Sequence, residues 1–564
     1  KAVEAYRSGQ DLKVVAVAGS GKTTTLRLMA EATPGKRGLY LAFNRSVQQE
    51  AARKFPRNVR PYTLHALAFR MAVARDEGYR AKFQAGKGHL PAQAVAEALG
   101  LRNPLLLHAV LGTLEAFLRS EAASPDPGMI PLAYRTLRAG TKTWPEEEAF
   151  VLRGVEALWR RMTDPKDPFP LPHGAYVKLW ALSEPDLSFA EALLVDEAQD
   201  LDPIFLKVLE AHRGRVQRVY VGDPRQQIYG WRGAINAMDR LEAPEARLTW
   251  SFRFAETLAR FVRNLTALQD RPVEVRGKAP WATRVDAALP RPPFTVLCRT
   301  NAGVVGAVVV THEVHRGRVH VVGGVEELVH LLRDAALLKK GEKRTDPHPD
   351  LAMVETWEEL EALAEAGYAP AYGVLRLAQE HPDLEALAAY LERAWTPVEV
   401  AAGVVVSTAH KAKGREWDRV VLWDDFYPWW EEGAAARVNW GSDPAHLEEE
   451  NLLYVAATRA RKHLSLAQIR DLLEAVDRMG VYRVAEEATR AYLLLSAEVL
   501  RGVATDPRVP AEHRVRALKA LGYLERGEEA LDSPGKPGGQ GSGRGPAAPD
   551  PAPPPPRYAL LVCA

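Results

Sequence analysis

A short apolar run, LKVVAV at Leu12–Val17, leads into AVAGSGKT at Ala16–Thr23 and then into TTLRLMAEA at Thr24–Ala32. The first stretch reads as a buried parallel strand and the last as an amphipathic helix. The glycine-bearing loop between them has the P-loop pattern in the strand–loop–helix setting it requires, so the chain must contain an α/β unit on a parallel sheet. The glycines let backbone N–H groups surround a triphosphate, and the helix start adds positive potential there. Ala18, Gly19, Ser20 and Gly21 would form the cradle. Lys22 would reach the β- and γ-phosphates, and the Thr23 hydroxyl would sit on Mg²⁺.

The α/β pattern recurs twice along the chain. GLYLAF at Gly38–Phe43 is a second buried strand, followed by NRSVQQEAARKF and YTLHALAFRMA. From Leu67 to about Gly174 the spacing is helical, with breaks at Pro91, Pro104 and Ser124–Pro131, which marks an insertion. Strands resume at ALLVDEAQD (Ala192–Asp200) and RVYVGDPRQQIYGWRGA (Arg218–Ala234), and LTWSFRF at Leu248–Phe254 closes the block. A second block contains FTVLCRTNAG, HVVGG, GVVVSTAHKAKGREWDRVVLWDDF and ENLLYVAATRARKHLSLA. Gly341 to about Val398 inside it is read as helical and charged. Lys1–Gln10 is expected to be a helix feeding the first strand. A helical region is expected from Asp471 to about Leu531. Residues 533–557 are Pro/Gly/Ser-rich and should not be given a fold. The final apolar RYALLVCA is either a docking peptide or a frayed end, with the frayed end preferred.

At 564 residues the chain should hold several domains. The net charge is only +2, so any nucleic-acid contact must come from a local groove and not a globally basic surface. Two cysteines, Cys298 and Cys563, exclude an all-cysteine zinc site, a four-cysteine iron–sulfur cluster and a disulfide framework. No signal peptide and no bilayer-length apolar run is visible, and the expected location is the cytoplasm.

Four further constellations carry chemistry. VDEAQD places Asp196 and Glu197 at the end of an apolar strand, where one acid holds Mg²⁺ and the next deprotonates the attacking water. GDPRQQIYGWRGA offers Gln226 as a γ-phosphate sensor. Its Tyr229 and Trp231 are candidate base-stacking platforms, although Trp231 equally fits under its own loop. Arg253 in SFRF and Arg459 in VAATRARKHL are transition-state arginines if the two blocks face each other; taken singly, each reads as a surface ion pair. Thr63 and His65 in the first block, and Thr408, His410 and Lys411 in the second, are phosphate-backbone contacts that carry no sequence information.

In this order, these stretches resemble the UvrD/Rep/PcrA-like helicases of superfamily 1, and look most like the compact F-box-type DNA helicases and their bacterial relatives. The resemblance implies two RecA-like P-loop domains, with helical insertions and a helical C-terminal extension. The boundaries would be 1–66 with 175–248, then 249–340 with 399–471, with insertions at 67–174 and 341–398, a helical region at 472–532 and a tail at 533–564. It implies ATP and Mg²⁺, with Thr23 and Asp196 on the metal, Glu197 as base, Gln226 as sensor, and Arg253 and Arg459 as arginine fingers. Thr24, Phe252, Gly414 and Glu416 would lie along the nucleoside, with Glu416 on the sugar. Phe43, Tyr229 and Trp231 would stack on bases, and Asn44, Thr63, His65, Arg232, Thr408, His410 and Lys411 would line the strand path. It implies single-stranded DNA and its junctions with duplex as substrate, 3′ to 5′ movement, work in repair or recombination, a monomer associated with the nucleoid, and a protein partner for the C-terminal region.

Three departures from the family pattern stand out. Thr24 replaces an arginine that stacks on adenine, leaving Phe252 as the aromatic on that base. The family's upstream glutamine is expected before Lys1, because Gln10 is too close to the first strand. The second insertion is short, which favours translocation over strong unwinding by the chain alone. Two other readings compete: an ATP-gated single-stranded nucleic-acid scaffold or partner-dependent translocase, and a helicase–nuclease subunit. No nuclease-like acid cluster follows Arg470.

Overall fold

The computed structural model describes residues 2–228, 230, 237–269, 271–352, 354–365, 369–426, 444–480, 501 and 505. The chain divides into a unit of Lys1–Arg263 with Val273–Arg470 and a unit of Asn264–Pro272 with Asp471–Ala564. Of the second, only 264–269, 271–272, 471–480, 501 and 505 are described, so the tail and most of the expected 472–532 helical region lie outside the described residues. All described strands belong to the first unit.

Six strands form the first sheet: β1 Leu12–Ala16, β2 Gly38–Ala42, β3 Val59–Thr63, β4 Ala192–Val195, β5 Gln217–Gly222 and β6 Glu245–Leu248. Their order is β3-β2-β4-β5-β1-β6, and every pairing is parallel. β2, β4 and β5 are buried along their whole length, as continuous apolar runs in a parallel sheet must be. Successive side chains point to opposite faces. Leu39 and Leu41 join Phe117, Val155 and Leu158 of the first insertion, and Tyr176 and Trp180 of the helix His173–Leu182, in one core. Tyr40 and Ala42 pack with Leu26 and Met29 on the other face. The helices of residues 67–174 therefore share a core with the sheet.

Two short strands, β7 Trp250–Ser251 and β8 Arg276–Gly277, pair in parallel. The second six-stranded sheet comprises β9 Arg284–Asp286, β10 Phe294–Cys298, β11 Val319–Val321, β12 Val404–Thr408, β13 Trp417–Leu422 and β14 Ala460–Ser465, in the order β11-β12-β10-β13-β14-β9. It too is wholly parallel. The expected α/β class, parallel sheets flanked by helices, is the class observed.

Two expected helices are shorter than the sequence suggested. The first spans only Ala2–Arg7, and Gly9 at φ 81° turns the chain into β1. Helix does not fill 341–398 either: residues 341–352 and 354–356 are irregular, and helices follow at Trp357–Glu365, Ala369–Glu380 and Leu384–Ala394. The cause is local. Pro347 and Pro349 lack amide donors, and Arg344 instead ties the segment down, donating to Asp334 at 2.9 Å and to the carbonyls of Val354 and Leu351 at 2.8 and 2.7 Å. Among the described residues, no helix is long and apolar enough to cross a membrane.

Candidate active site

Because the first sheet is parallel, the C-terminal ends of β1, β4 and β5 share one edge. That edge gathers the P-loop, the Asp196–Glu197 pair and the loop carrying Asp223 and Gln226. Gly19 and Gly21 adopt φ 73° and 80°, left-handed values that favour glycine. A Cβ on Gly19 would also stand 2.6 Å from the Arg253 Cβ. The helix Lys22–Glu31 starts without a side-chain cap, which leaves its first amides facing the loop. Ser20 Oγ is buried with no hydrogen-bond partner among the described residues. An orphaned hydroxyl, an uncapped helix start and a lysine in one concavity fit a triphosphate.

Asp196 Oδ2 accepts from the Thr23 and Tyr40 hydroxyls, each at 2.7 Å. A hydroxyl beside a carboxylate is a hard oxygen pair suited to Mg²⁺ shared with phosphates. Glu197 follows at φ 52°, a strained conformation for a non-glycine residue, and stands 3.3 Å from Lys22 Nζ. Burial raises the Asp196 pKa and the Glu197 charge adds to it, against the Thr23 and Tyr40 hydroxyls and Lys22. Burial also opposes the Glu197 charge, but Lys22, Lys413 and the Gln199 amide outweigh it and hold its pKa low. Lys22 is likewise penalised by burial, and Glu197, Asp223 and Asp196 together raise its pKa. The pair is thus split into an acid reluctant to ionise and a carboxylate held in its ionised form.

The second sheet presents its opposite, starting edge. Trp417 pairs with Ala460, which sets Glu416 and Arg459 side by side just ahead of β13 and β14. Arg459 is 1% exposed and is held by the Val455 carbonyl at 2.8 Å, the Arg415 carbonyl at 3.3 Å and the Thr458 hydroxyl at 3.2 Å. Burial, and then the nearby Arg253, push its pKa down to about 9, a cost that an arriving anion would relieve. Arg253 backs onto Gly19, donates to Glu416 at 2.7 Å and donates to the Thr458 carbonyl at 3.0 Å. The two arginines expected on one side of a nucleotide are therefore together. Gly414, at φ 82°, turns the loop that delivers Glu416. Phe252 donates its amide to the Gly19 carbonyl at 2.9 Å and leaves its ring 53% exposed, whereas Thr24 is exposed on the P-loop helix.

The strand-path candidates divide between the two blocks. Phe43, 49% exposed, stands at the end of β2. Asn44 and Thr63 cap the helices that follow them, accepting from the Val47 and Ala66 amides at 2.9 and 3.1 Å. His65 is an exposed residue whose ring lies edge-on to His173, Tyr176 and Phe205. Desolvation among these rings, with His173 and Arg119, pushes its pKa down to about 4. Thr408 Oγ1 accepts from the Lys411 amide at 3.2 Å, His410 is half-buried, and Lys411 Nζ lies 2.8 Å from Glu327. Tyr229, Trp231 and Arg232 lie outside the described residues.

Around the expected sensor, Gln226, several residues of the site carry no prediction of their own. Gln226 is buried, and its side-chain amide donates to Asp223 Oδ2 at 2.6 Å. Lys413, from the second block, donates to both Asp200 oxygens and to the Gln226 carbonyl. Burial pushes Asp200 up to about 6, although Lys413 pulls against it. Gln199, Asp223 and Tyr454 complete the polar network. Their signal in the sequence is faint: Lys413, Gln199 and Asp223 stand in stretches with several equally polar neighbours, and Tyr454 stands in an apolar run.

Comparison with known proteins gives the same order of parts. Residues 188–242 match the UvrD/REP helicase N-terminal domain, and residues 385–471 match the UvrD-like helicase C-terminal domain. The chain is 30% identical over 522 residues to the F-box DNA helicase protein 1 of Schizosaccharomyces pombe, covering 85% of this chain and 57% of that protein. It is 28% identical over 501 residues to the F-box DNA helicase 1 of Gallus gallus, covering 82% and 47%. The chain thus spans about half the length of the curated relatives it matches. It carries matches to both UvrD-like helicase domains, the N-terminal before the C-terminal.

Proposed function

We propose that the chain is an ATP-driven motor on single-stranded DNA, moving 3′ to 5′ and unwinding duplex or displacing bound proteins in DNA repair or recombination. One observation carries this reading. A P-loop and a strand-end acid pair on one sheet meet two convergent arginines, Arg253 and Arg459, at the starting edge of the other. Lys22 binds the terminal phosphates, Glu197 takes the proton of the attacking water, and Gln226 reports the γ-phosphate. Arg253 and Arg459 balance charge on the transferring group, which makes closure of the two blocks depend on the triphosphate. Thr23 and Asp196 would hold Mg²⁺, which when bound supplies positive charge to the phosphates. Phe43 and Trp231 offer stacking faces past which bases step, and Thr63, Thr408 and Lys411 hold the backbone. The helicase names of the two relatives support DNA as the track. A monomer in the cytoplasm, associated with the nucleoid and recruiting a partner through its C-terminal region, belongs to the same reading.

The test is ATP hydrolysis with and without single-stranded DNA, followed by strand displacement on duplexes bearing a 3′ or a 5′ tail. Stimulated hydrolysis with displacement from the 3′ tail is expected. Hydrolysis without displacement would favour a translocase that needs a partner to unwind, as the short second insertion suggests. A chain that binds ATP and DNA without turnover would be a gated scaffold.

A further inference from the structure

The reaction above leaves unassigned a hydrogen-bond chain that runs between the two blocks. Tyr454 lies on the helix Pro444–Ala457 and is 1% exposed. Its hydroxyl accepts from the Ala18 amide of the P-loop at 3.2 Å and donates to Asp223 Oδ2 at 3.0 Å. The same carboxylate oxygen accepts from Gln226 Nε2, and the Asp223 amide donates to Gln199 Oε1 at 3.0 Å. Gln199 Nε2 then donates to Glu197 Oε2 at 2.7 Å.

The direction of every bond is forced. A carboxylate only accepts, so Tyr454 must give its proton to Asp223 and can only accept from Ala18. The Asp223 amide is a donor, so the Gln199 carbonyl must face it, and this turns the Gln199 NH₂ toward Glu197. Reversing one member would leave buried polar atoms unpaired along the chain. A hydroxyl of the second block is thereby wired to the carboxylate that faces the attacking water, through the Asp223 carboxylate and backbone amide and then the Gln199 side chain.

We propose that Tyr454 is a positioning residue that couples closure of the second block to the orientation of Glu197, through Asp223 and Gln199. This rests on the ATP-hydrolysis reading. When the second block is seated, Tyr454 supplies one of the donors that hold Asp223 in place, and Asp223 fixes the amide that aims Glu197. When the second block withdraws, Asp223 loses that donor and the Ala18 amide is freed. Glu197 is then less well held, and hydrolysis without closure is suppressed.

The test compares the full-length chain with Tyr454→Phe, Gln199→Met and the double variant, reading kcat and KM for ATP at saturating single-stranded DNA. Tyr454→Phe keeps the ring and removes the hydroxyl. It is expected to lower kcat about tenfold while KM and DNA affinity stay within about twofold. Gln199→Met reads the same chain from its other end, should any loss in Tyr454→Phe be one of folding. It should produce a similar loss, and the double variant should be no worse than the larger single loss. Wild-type kcat in Tyr454→Phe, or losses that multiply in the double variant, would overturn the proposal alone. Absence of turnover in the wild-type chain would overturn the hydrolysis reading together with it.

Discussion

The two parallel sheets place the same kind of junction, a strand running into a helix, in opposite electrostatic states. After β1 the turn is AVAGSGKT, with two left-handed glycines, an uncapped helix and a buried hydroxyl lacking a partner. After β10 the turn is CRTNAG, and Asp425 already occupies it. The Asp425 carboxylate accepts from the Arg299 and Thr300 amides at 2.7 and 2.8 Å and from the Thr300 hydroxyl at 2.9 Å. A Cβ on Gly303 would stand 1.9 Å from it. One junction is open to an external anion, and the other carries its own. The difference teaches that, of these two junctions, only the first is open to an external anion; under the proposed function it is the nucleotide seat, and the second sheet would contribute by its starting edge, through Arg459 and Glu416.

The largest expected effect tests the open junction. Glu197→Gln should lower ATP turnover by roughly 10²–10⁴ and leave single-stranded DNA binding in place, as measured by steady-state hydrolysis and fluorescence anisotropy. Near-normal turnover would remove Glu197 from the role of base. Next comes the contrast between the sheets. Arg459→Ala should cost on the order of 10³ in kcat. Arg299→Ala, which breaks a pair with Glu449 beside the plugged turn, should instead lower the thermal midpoint and largely spare turnover per folded molecule. Equal kinetic losses from the two arginines would erase the distinction between the blocks.

The frame of this site was legible in the sequence because it rests on short apolar strands with polar residues at their ends. Leu12–Val17, Ala192–Val195 and Val404–Thr408 announce themselves by composition, and parallel pairing then fixes which ends come together. Lys413 and Tyr454 were not legible as site residues. Their function depends on register between elements some two hundred residues or more apart, and a lone lysine or tyrosine has no periodicity to reveal it. Thr63, Asn44 and Thr408 show the converse. Each fits a DNA contact by residue type, and each has a capping or turn-forming bond that the same residue types would supply without any ligand. The charge of residues 341–352 reads as a solvated helix, whereas Arg344 among them is half-buried and bonded to Asp334 and two carbonyls.

Smaller effects come from protons. Lys413→Met should leave Asp200 without its cation, raise its pKa above about 6 and move the acidic limb of the ATPase pH profile upward by about one unit. An unmoved limb would disconnect Lys413 from the site. The smallest effect concerns the built-in anion. Burial pushes Asp425 up to about 6, even though the two amides and the Thr300 hydroxyl oppose it. A carboxyl whose folded pKa exceeds its unfolded value of about 3.9 favours folding while protonated. Its contribution is full below about pH 4 and is lost as pH rises through 6, at most about 3 kcal/mol. Asp425→Asn stays neutral, so between pH 5 and pH 7.5 its thermal midpoint should fall less than that of the wild type. A parallel fall would show that Asp425 ionises as freely as an exposed acid.

The contrast between an open and a plugged junction is tested most directly by the stoichiometry of a non-hydrolysable ATP analogue with Mg²⁺, measured by isothermal titration calorimetry. One analogue should bind per chain. Binding should be lost in Lys22→Ala and kept in Asp425→Asn. A second equivalent, or binding that survives Lys22→Ala, would contradict a single seat built on the first sheet.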